Sequence, residues 1–158
     1  MKLKYFVVLL LSVFALQSSA QYYRLSRNAV RCLRVEFDGS VTLRAVGEGK
    51  KKKDAVEQAK RNAVYAVIFQ GVRVDGGQNA ELSKPLILER DAEKKYAEQL
   101  YSFFVEEGRY TEFVSDEDRK RRSDVKLRDT KIQETWETTV RVDRAGLALF
   151  LKDEGFIK

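Results

Sequence analysis

The chain has 158 residues, 30 Lys and Arg against 24 Asp and Glu for a net charge of +6, one cysteine and no histidine. Without histidine there is no Ser-His-Asp or Cys-His triad, and the commonest metal ligand and neutral-pH proton shuttle are gone. A lone cysteine excludes an internal disulfide framework, and so modest a charge argues against a dedicated nucleic-acid binder, whose cations are more numerous and gathered on one face.

Residues 1–20, MKLKYFVVLLLSVFALQSSA, have the layout of a secretory signal peptide: Lys2 and Lys4, an apolar block from Tyr5 to Leu16, and Ser18-Ser19-Ala20 at a cleavage site. The block is shorter than the roughly 20 apolar residues a membrane span needs. Cleavage after Ala20 leaves Gln21 first, with an amine able to cyclise onto its side chain, and 138 of the 158 residues. That length suits one domain, over 21–158. Two of the lysines leave with the signal, so the mature balance is 28 cations against 24 acids, or +4. No transmembrane segment remains after cleavage, and the expected product is exported and soluble, in the periplasm or at the cell surface. Cys32 lies twelve residues past the cleavage point, behind Ala29-Val30-Arg31. It is expected as a buried structural thiol, not a lipid-attachment site.

Gln21 to Val30 is polar and aromatic without a clear period. Leu33, Val35 and Phe37 then alternate with Arg34 and Glu36, Asp38-Gly39 interrupts, and Val41, Leu43 and Ala45 alternate again. This predicts a hairpin with strands near 31–37 and 40–48 and an Asp-Gly turn whose central residues can both take positive φ. After Gly47-Glu48-Gly49 a helix is expected, with Asp54 and Glu57 at capping-box spacing. Its apolar stripe is Val56, Ala59, Ala63, Val67 and Phe69, widened by Ala55, Val64 and Ala66, and Gly71 is its stop. Small alanines on that stripe let a helix lie close on a sheet.

Val72 to Ser83, with Asp75-Gly76-Gly77-Gln78-Asn79, reads as a surface loop. Ser83 and Pro85 suggest a second helix start, carrying Leu86, Leu88, Ala92, Tyr96, Leu100, Phe103 and Phe104 to just before Gly108. A short strand is expected at Tyr110, Glu112 and Val114. The mixed-charge run Ser115 to Arg122 reads as solvent-facing. In the β stretch that follows, Val125 and Leu127 fall on odd positions, but Ile132, Trp136, Val140 and Val142 on even ones. A regular strand cannot switch faces, so a bulge or turn is expected near Asp129-Thr130. Asp143 caps a short last helix with Leu147, Phe150 and Leu151, ended by Gly155. The order β-β-α-α-β-β-α predicts an α+β fold: a mostly antiparallel sheet with two long helices and a short C-terminal helix packed on one face.

Three stretches together carry a family likeness: Val46-Gly47-Glu48-Gly49 leading into Asp54 to Ala63, the aromatic segments Tyr101 to Phe104 and Tyr110 to Val114, and Thr139-Val140-Arg141-Val142-Asp143 before a short helix. The chain resembles the exported envelope domains grouped with the FlgT N-terminal domain and the Lpp-twenty lipoproteins of Gram-negative bacteria, over roughly Val35 to Lys158. The resemblance implies a small α+β periplasmic or surface domain that contributes to assembly, and it supplies no catalytic residues. The lipoprotein members carry a lipidated cysteine after the signal where this chain has Gln21, so membrane anchoring is not implied.

Two basic runs are the candidate binding residues. Lys50, Lys51, Lys52 and Lys53 lie between a glycine turn and a helix start, without the GxxxxGK[ST] spacing of a phosphate loop. Cations there oppose the helix dipole, which a bound anion would offset: a lipid headgroup, a lipopolysaccharide phosphate or a wall polymer. The bland alternative is a solvated turn. Arg119, Lys120, Arg121 and Arg122 form the second run, which Asp116 to Asp118 can neutralise locally. Trp136 shares parity with Ile132 and Val140 and is expected in the core, with a partner-facing aromatic on an exposed sheet as the alternative. Glu106-Glu107 and Asp153-Glu154 read as solvated helix ends, and Asp75 to Asn79 lacks calcium-loop spacing. Neither a catalytic residue, a metal site nor a cofactor is expected.

The sequence thus points to a non-enzymatic exported accessory or assembly protein of the cell envelope that binds another envelope protein, and a homo-oligomer is compatible with this. The alternative is a polyanion or glycolipid binder using the two basic runs. Export is checked by the intact mass of the protein recovered outside the cytoplasm. Loss of residues 1–20, with Gln21 cyclised, is the expected outcome, and a retained Met1 contradicts it.

Overall fold

A computed structural model describes residues 30–72, 83–118 and 124–157. Strand β1 (Val30–Val35) and strand β2 (Val41–Gly49) form the first hairpin. Its turn is longer than a two-residue Asp-Gly turn. The Gly39 amide donates to the Glu36 carbonyl at 3.1 Å and the Glu36 amide to the Ser40 carbonyl at 2.9 Å. Three residues therefore make the loop, and only Gly39 takes a positive φ, 81°. The Asp38 carboxylate instead accepts from the Ser40 amide at 2.9 Å and hydroxyl at 2.6 Å, the local bond that favours Asp in turns. Phe37, expected to alternate inward, stands fully exposed at the tip. A bulge between Cys32 and Arg34 turns Cys32 and Val35 to the core in place of Leu33.

β2 pairs along its length with strand β5 (Glu134–Val142), from Val41 opposite Val142 to Gly49 opposite Glu134. The far edge of β5 is shared end to end by two short strands, β3 (Val114–Ser115) and β4 (Val125–Asp129). The parity flip near Asp129-Thr130 is a tight connection: the Thr130 amide donates to the Gln133 carbonyl at 3.0 Å, closing the β4–β5 hairpin. One face of the sheet carries Cys32, Val41, Leu43, Ala45, Val140 and Val142, all buried, and the helices cover it.

Helix α1 (Lys52–Tyr65), prolonged by a π-helical turn (Ala66–Gln70), lies on β2 and β5. It buries Ala55, Val56, Ala59, Ala63 and Val64, the predicted stripe. The seat is tight: a Cβ on Gly47 would run into the Ala55 carbonyl and the Ala59 amide, and one on Gly49 into the Ala55 amide. Asn62, buried on the same side, donates to the Val46 carbonyl at 2.8 Å. The capping box expected from Asp54 and Glu57 does not form. The helix starts earlier, with Lys51 as an extended N-cap (φ −137°, ψ 163°) that makes no side-chain cap bond, because Gly49 already presses against the backbone of Ala55.

The second helical segment departs most from expectation. Ser83 to Asp91 is not helical, since the Leu86 and Ile87 amides donate to the Val67 and Ile68 carbonyls at 3.1 and 2.9 Å. Those bonds satisfy the last carbonyls of α1 and hold residues 86–87 extended, so Ile87 is buried and Leu88 faces out. The helix begins only at α2 (Ala92–Lys95), breaks at Tyr96 (φ −111°, ψ 25°), resumes as α3 (Ala97–Tyr101) and ends in a π turn (Ser102–Glu106). At the break, the Tyr96 ring packs 4.8 Å from Phe156. Tyr110 and Glu112 lie in a 3-10 turn (Arg109–Phe113), not a strand. Helix α4 (Arg144–Asp153) is capped as expected, Asp143 accepting from the Gly146 amide at 2.9 Å. Gly155 at φ 78° ends it. Among the described residues no helix is long and apolar enough to cross a membrane.

The seat of α1 makes Gly47→Ala a damaging single-methyl change. We expect it to lower unfolding free energy by about 3 kcal/mol, read as a shift of the urea midpoint at unchanged m-value. An unchanged midpoint contradicts the seat.

Candidate functional site

Lys50, Lys51, Lys52 and Lys53 are all exposed at the junction of β2 and α1. Lys52 is the one among them that is engaged. Its Nζ lies 3.0 Å from the Asp124 carboxylate and 4.5 Å from the centre of the Trp136 ring. Lys126 reaches the same ring at 5.3 Å and bonds Asp129 at 2.9 Å and Glu134 at 3.2 Å. Trp136 is thus half-buried, not a core residue. It stands on the helix side of the sheet, as its parity requires, but opposite Gly47, where α1 begins and leaves one side of the indole to lysines. The indole N–H donates to Glu134 at 2.7 Å; that bond, then Lys126, holds the Glu134 carboxyl below its ordinary value.

The side chains of Lys50, Lys51 and Lys53 make no hydrogen bond or ion pair with any described residue. The β2–β5 ladder brings two further cations to this end of the sheet. Gly49 is opposite Glu134, and Gln133 donates to Glu48 at 2.7 Å. Lys131 in the β4–β5 turn and Arg128 near the end of β4 therefore share this end with the lysine run, and neither has a partner among the described residues. Sequence reasoning missed both, because only strand pairing connects positions 50 and 131.

Arg119, Lys120, Arg121 and Arg122 lie outside the described residues, as do Asp75 to Asn79. The acids before that run have partners among the described residues. Asp116 bonds Lys60 at 2.9 Å, Glu117 is 3.7 Å from Arg141, and Asp118 is buried, 7% exposed. Asp118 accepts from Arg141 at 3.0 Å, Thr42 at 3.1 Å and Arg34 at 3.3 Å on the sheet face turned away from the helices. Glu36 joins them, accepting from Arg34 at 2.5 Å and sharing with Asp118 the single proton of the Thr42 hydroxyl, 2.6 Å away. Beside this network Arg44 bonds Glu137 at 3.0 Å. The described charges around Asp118 on this face are thus matched, and the expectation of a solvent-facing run fails at Asp118.

A shallow groove of about 330 Å³ opens between Phe103, Phe150 and Phe156, rimmed by Arg109, Glu107 and Glu154. Arg109 stacks 4.5 Å from the Phe150 centre and lies 3.4 Å from Glu154 and 3.3 Å from Glu112, so its charge is already matched. Tyr110 is buried and donates to Glu57; burial, then that bond, pushes its phenol up to about 12 and keeps it protonated. Among the described residues no three Asp, Glu or Cys side chains gather as a metal cluster.

No family model, no curated protein and no solved structure matches this chain.

The Asp118 network carries a pH dependence. At Glu36 the Thr42 hydroxyl, then Arg34, draws the carboxyl below its ordinary value despite burial. At Asp118 burial pushes up, but hydrogen bonds from Arg141 and Thr42 and the charges of Arg141 and Arg34 outweigh it, and the net shift is down. Both groups release their protons more readily folded than unfolded. They therefore add stability above the unfolded carboxylate range near 4, and it is lost as pH falls through the lower folded values. Asp118→Asn is expected to lose roughly 2 kcal/mol at neutral pH and to flatten the acid limb of a denaturation series. Equal acid slopes in the two proteins contradict this.

Proposed function

We propose that this protein is a non-enzymatic, exported accessory or assembly component of the cell envelope that binds another envelope protein, as its resemblance to the FlgT N-terminal and Lpp-twenty domains implies. The observation that supports this best is the outer edge of β4. Val125–Asp129 pairs with β5 on one side, no described strand pairs its other side, and all five residues are exposed. Val125 and Leu127 stand out along it. An extended segment of a partner can add there as a further strand, with backbone bonds for affinity and those side chains for specificity. The bulge between Lys126 and Arg128 and the flanking charges restrain indiscriminate pairing. A chain without histidine, whose groove arginine is already paired, supports binding over catalysis.

The polyanion or glycolipid reading of Lys50–Lys53 and Arg119–Arg122 is also supported by one observation, the three lysines without a partner among the described residues.

Crosslinking of tagged protein in cells, with mass spectrometry of what co-purifies, tests the assembly reading. A reproducible envelope protein linked near β4 is expected, and Leu127→Lys should abolish its capture while leaving the thermal midpoint in place. Capture indifferent to Leu127→Lys, or recovery of the protein alone, overturns it.

A further inference from the structure

We infer that the end of the sheet where β2 passes into α1 is a docking surface for an anionic lipid bilayer. This rests on the second reading of Lys50–Lys53 and names its partner. Gly49 opposite Glu134 is the last rung of the β2–β5 ladder, and the bond from Gln133 to Glu48 ties the β4–β5 turn to the end of β2. The lysines that follow Gly49 and the residues of that turn therefore form one surface. Lys50, Lys51, Lys53, Arg128 and Lys131 stand there without a partner among the described residues, against the exposed acids Glu48 and Asp54. Behind them Lys52 and Lys126 are fixed by Asp124, Asp129, Glu134 and the Trp136 ring. The free cations are thus presented by a rigid base.

Charge alone suits any polyanion; Ile132 distinguishes a bilayer. It is the apex of the β4–β5 turn, 84% exposed, between Lys131 and Gln133. A hollow of about 210 Å³ lies beside it, lined by Arg128, Thr130 and Glu48. An apolar tip ringed by cations matches the headgroup–acyl boundary, where the isoleucine leaves water and the cations meet phosphates. A soluble polyanion has no place for it.

The test is co-sedimentation of the purified protein with phosphatidylcholine vesicles, with and without phosphatidylglycerol, at low and high salt, every variant keeping the same N-terminus. Binding should require phosphatidylglycerol and weaken with salt. Lys50→Ala, Lys51→Ala and Lys53→Ala together should lower the partition coefficient about 100-fold. Ile132→Ser should lower it several-fold while leaving retention on heparin unchanged. All four positions are exposed, and circular dichroism confirms the fold. Heparin retention that falls with the lysines, but without vesicle binding, overturns bilayer docking and leaves the polyanion reading standing. Indifference of both ligands to the lysines overturns the two together, as does equal binding to neutral vesicles.

Discussion

The close seat of α1 on β2 is the constraint from which the rest of the arrangement follows. Gly47 and Gly49 present bare backbone where Ala55 and Ala59 arrive, and a Cβ on either glycine would clash. Because contact is this close at the first turn, the chain must leave β2 and enter the helix within Lys50 and Lys51, with no room for a capping loop. Four lysines are therefore held at the sheet end, where the helix dipole disfavours them, and no capping carboxylate offsets them. Asn62, three residues beyond Ala59, locks the same interface by bonding the Val46 carbonyl.

From that seat follows an uneven distribution of charge. On the open face of the sheet, Arg34, Glu36, Asp118 and Arg141 are matched pair by pair, and the two carboxylates share the Thr42 hydroxyl. Such a face gains little from an ionic partner, since each ligand charge would displace an existing one. At the end of the sheet the reverse holds: Lys52 and Lys126 are tied down around Trp136 while the side chains of Lys50, Lys51 and Lys53 have no partner among the described residues. Unmatched charge, not total charge, separates a surface built for stability from one available for binding.

Much of the fold was legible because local pattern and tertiary need agree. Alternation gave β1 and β2, the alanine stripe gave α1, the parity flip gave the β4–β5 turn and Asp143 gave α4. Where the sequence misled, a non-local bond took over a local preference. Pro85 and Ser83 look like a helix start, but the amides of Leu86 and Ile87 are claimed by the end of α1. Asp54 looks like a cap, but the glycine seat fixes the helix start earlier. Asp118 looks solvated among charges, yet two arginines and a threonine from other strands bury it. Of the candidate site, the lysine run was visible in sequence; Arg128, Lys131 and Ile132 joined it only through strand register.

Paramagnetic broadening from a spin label on Lys131→Cys tests directly whether the lysine run stands beside the β4–β5 turn. Backbone amides of Gly49 to Lys53 should broaden, while those of Glu36 to Ser40 should not, since the nine residues of β2, at about 3.3 Å per step, hold its two ends far apart. Sharp signals at Lys50 to Lys53 in the labelled protein contradict the account.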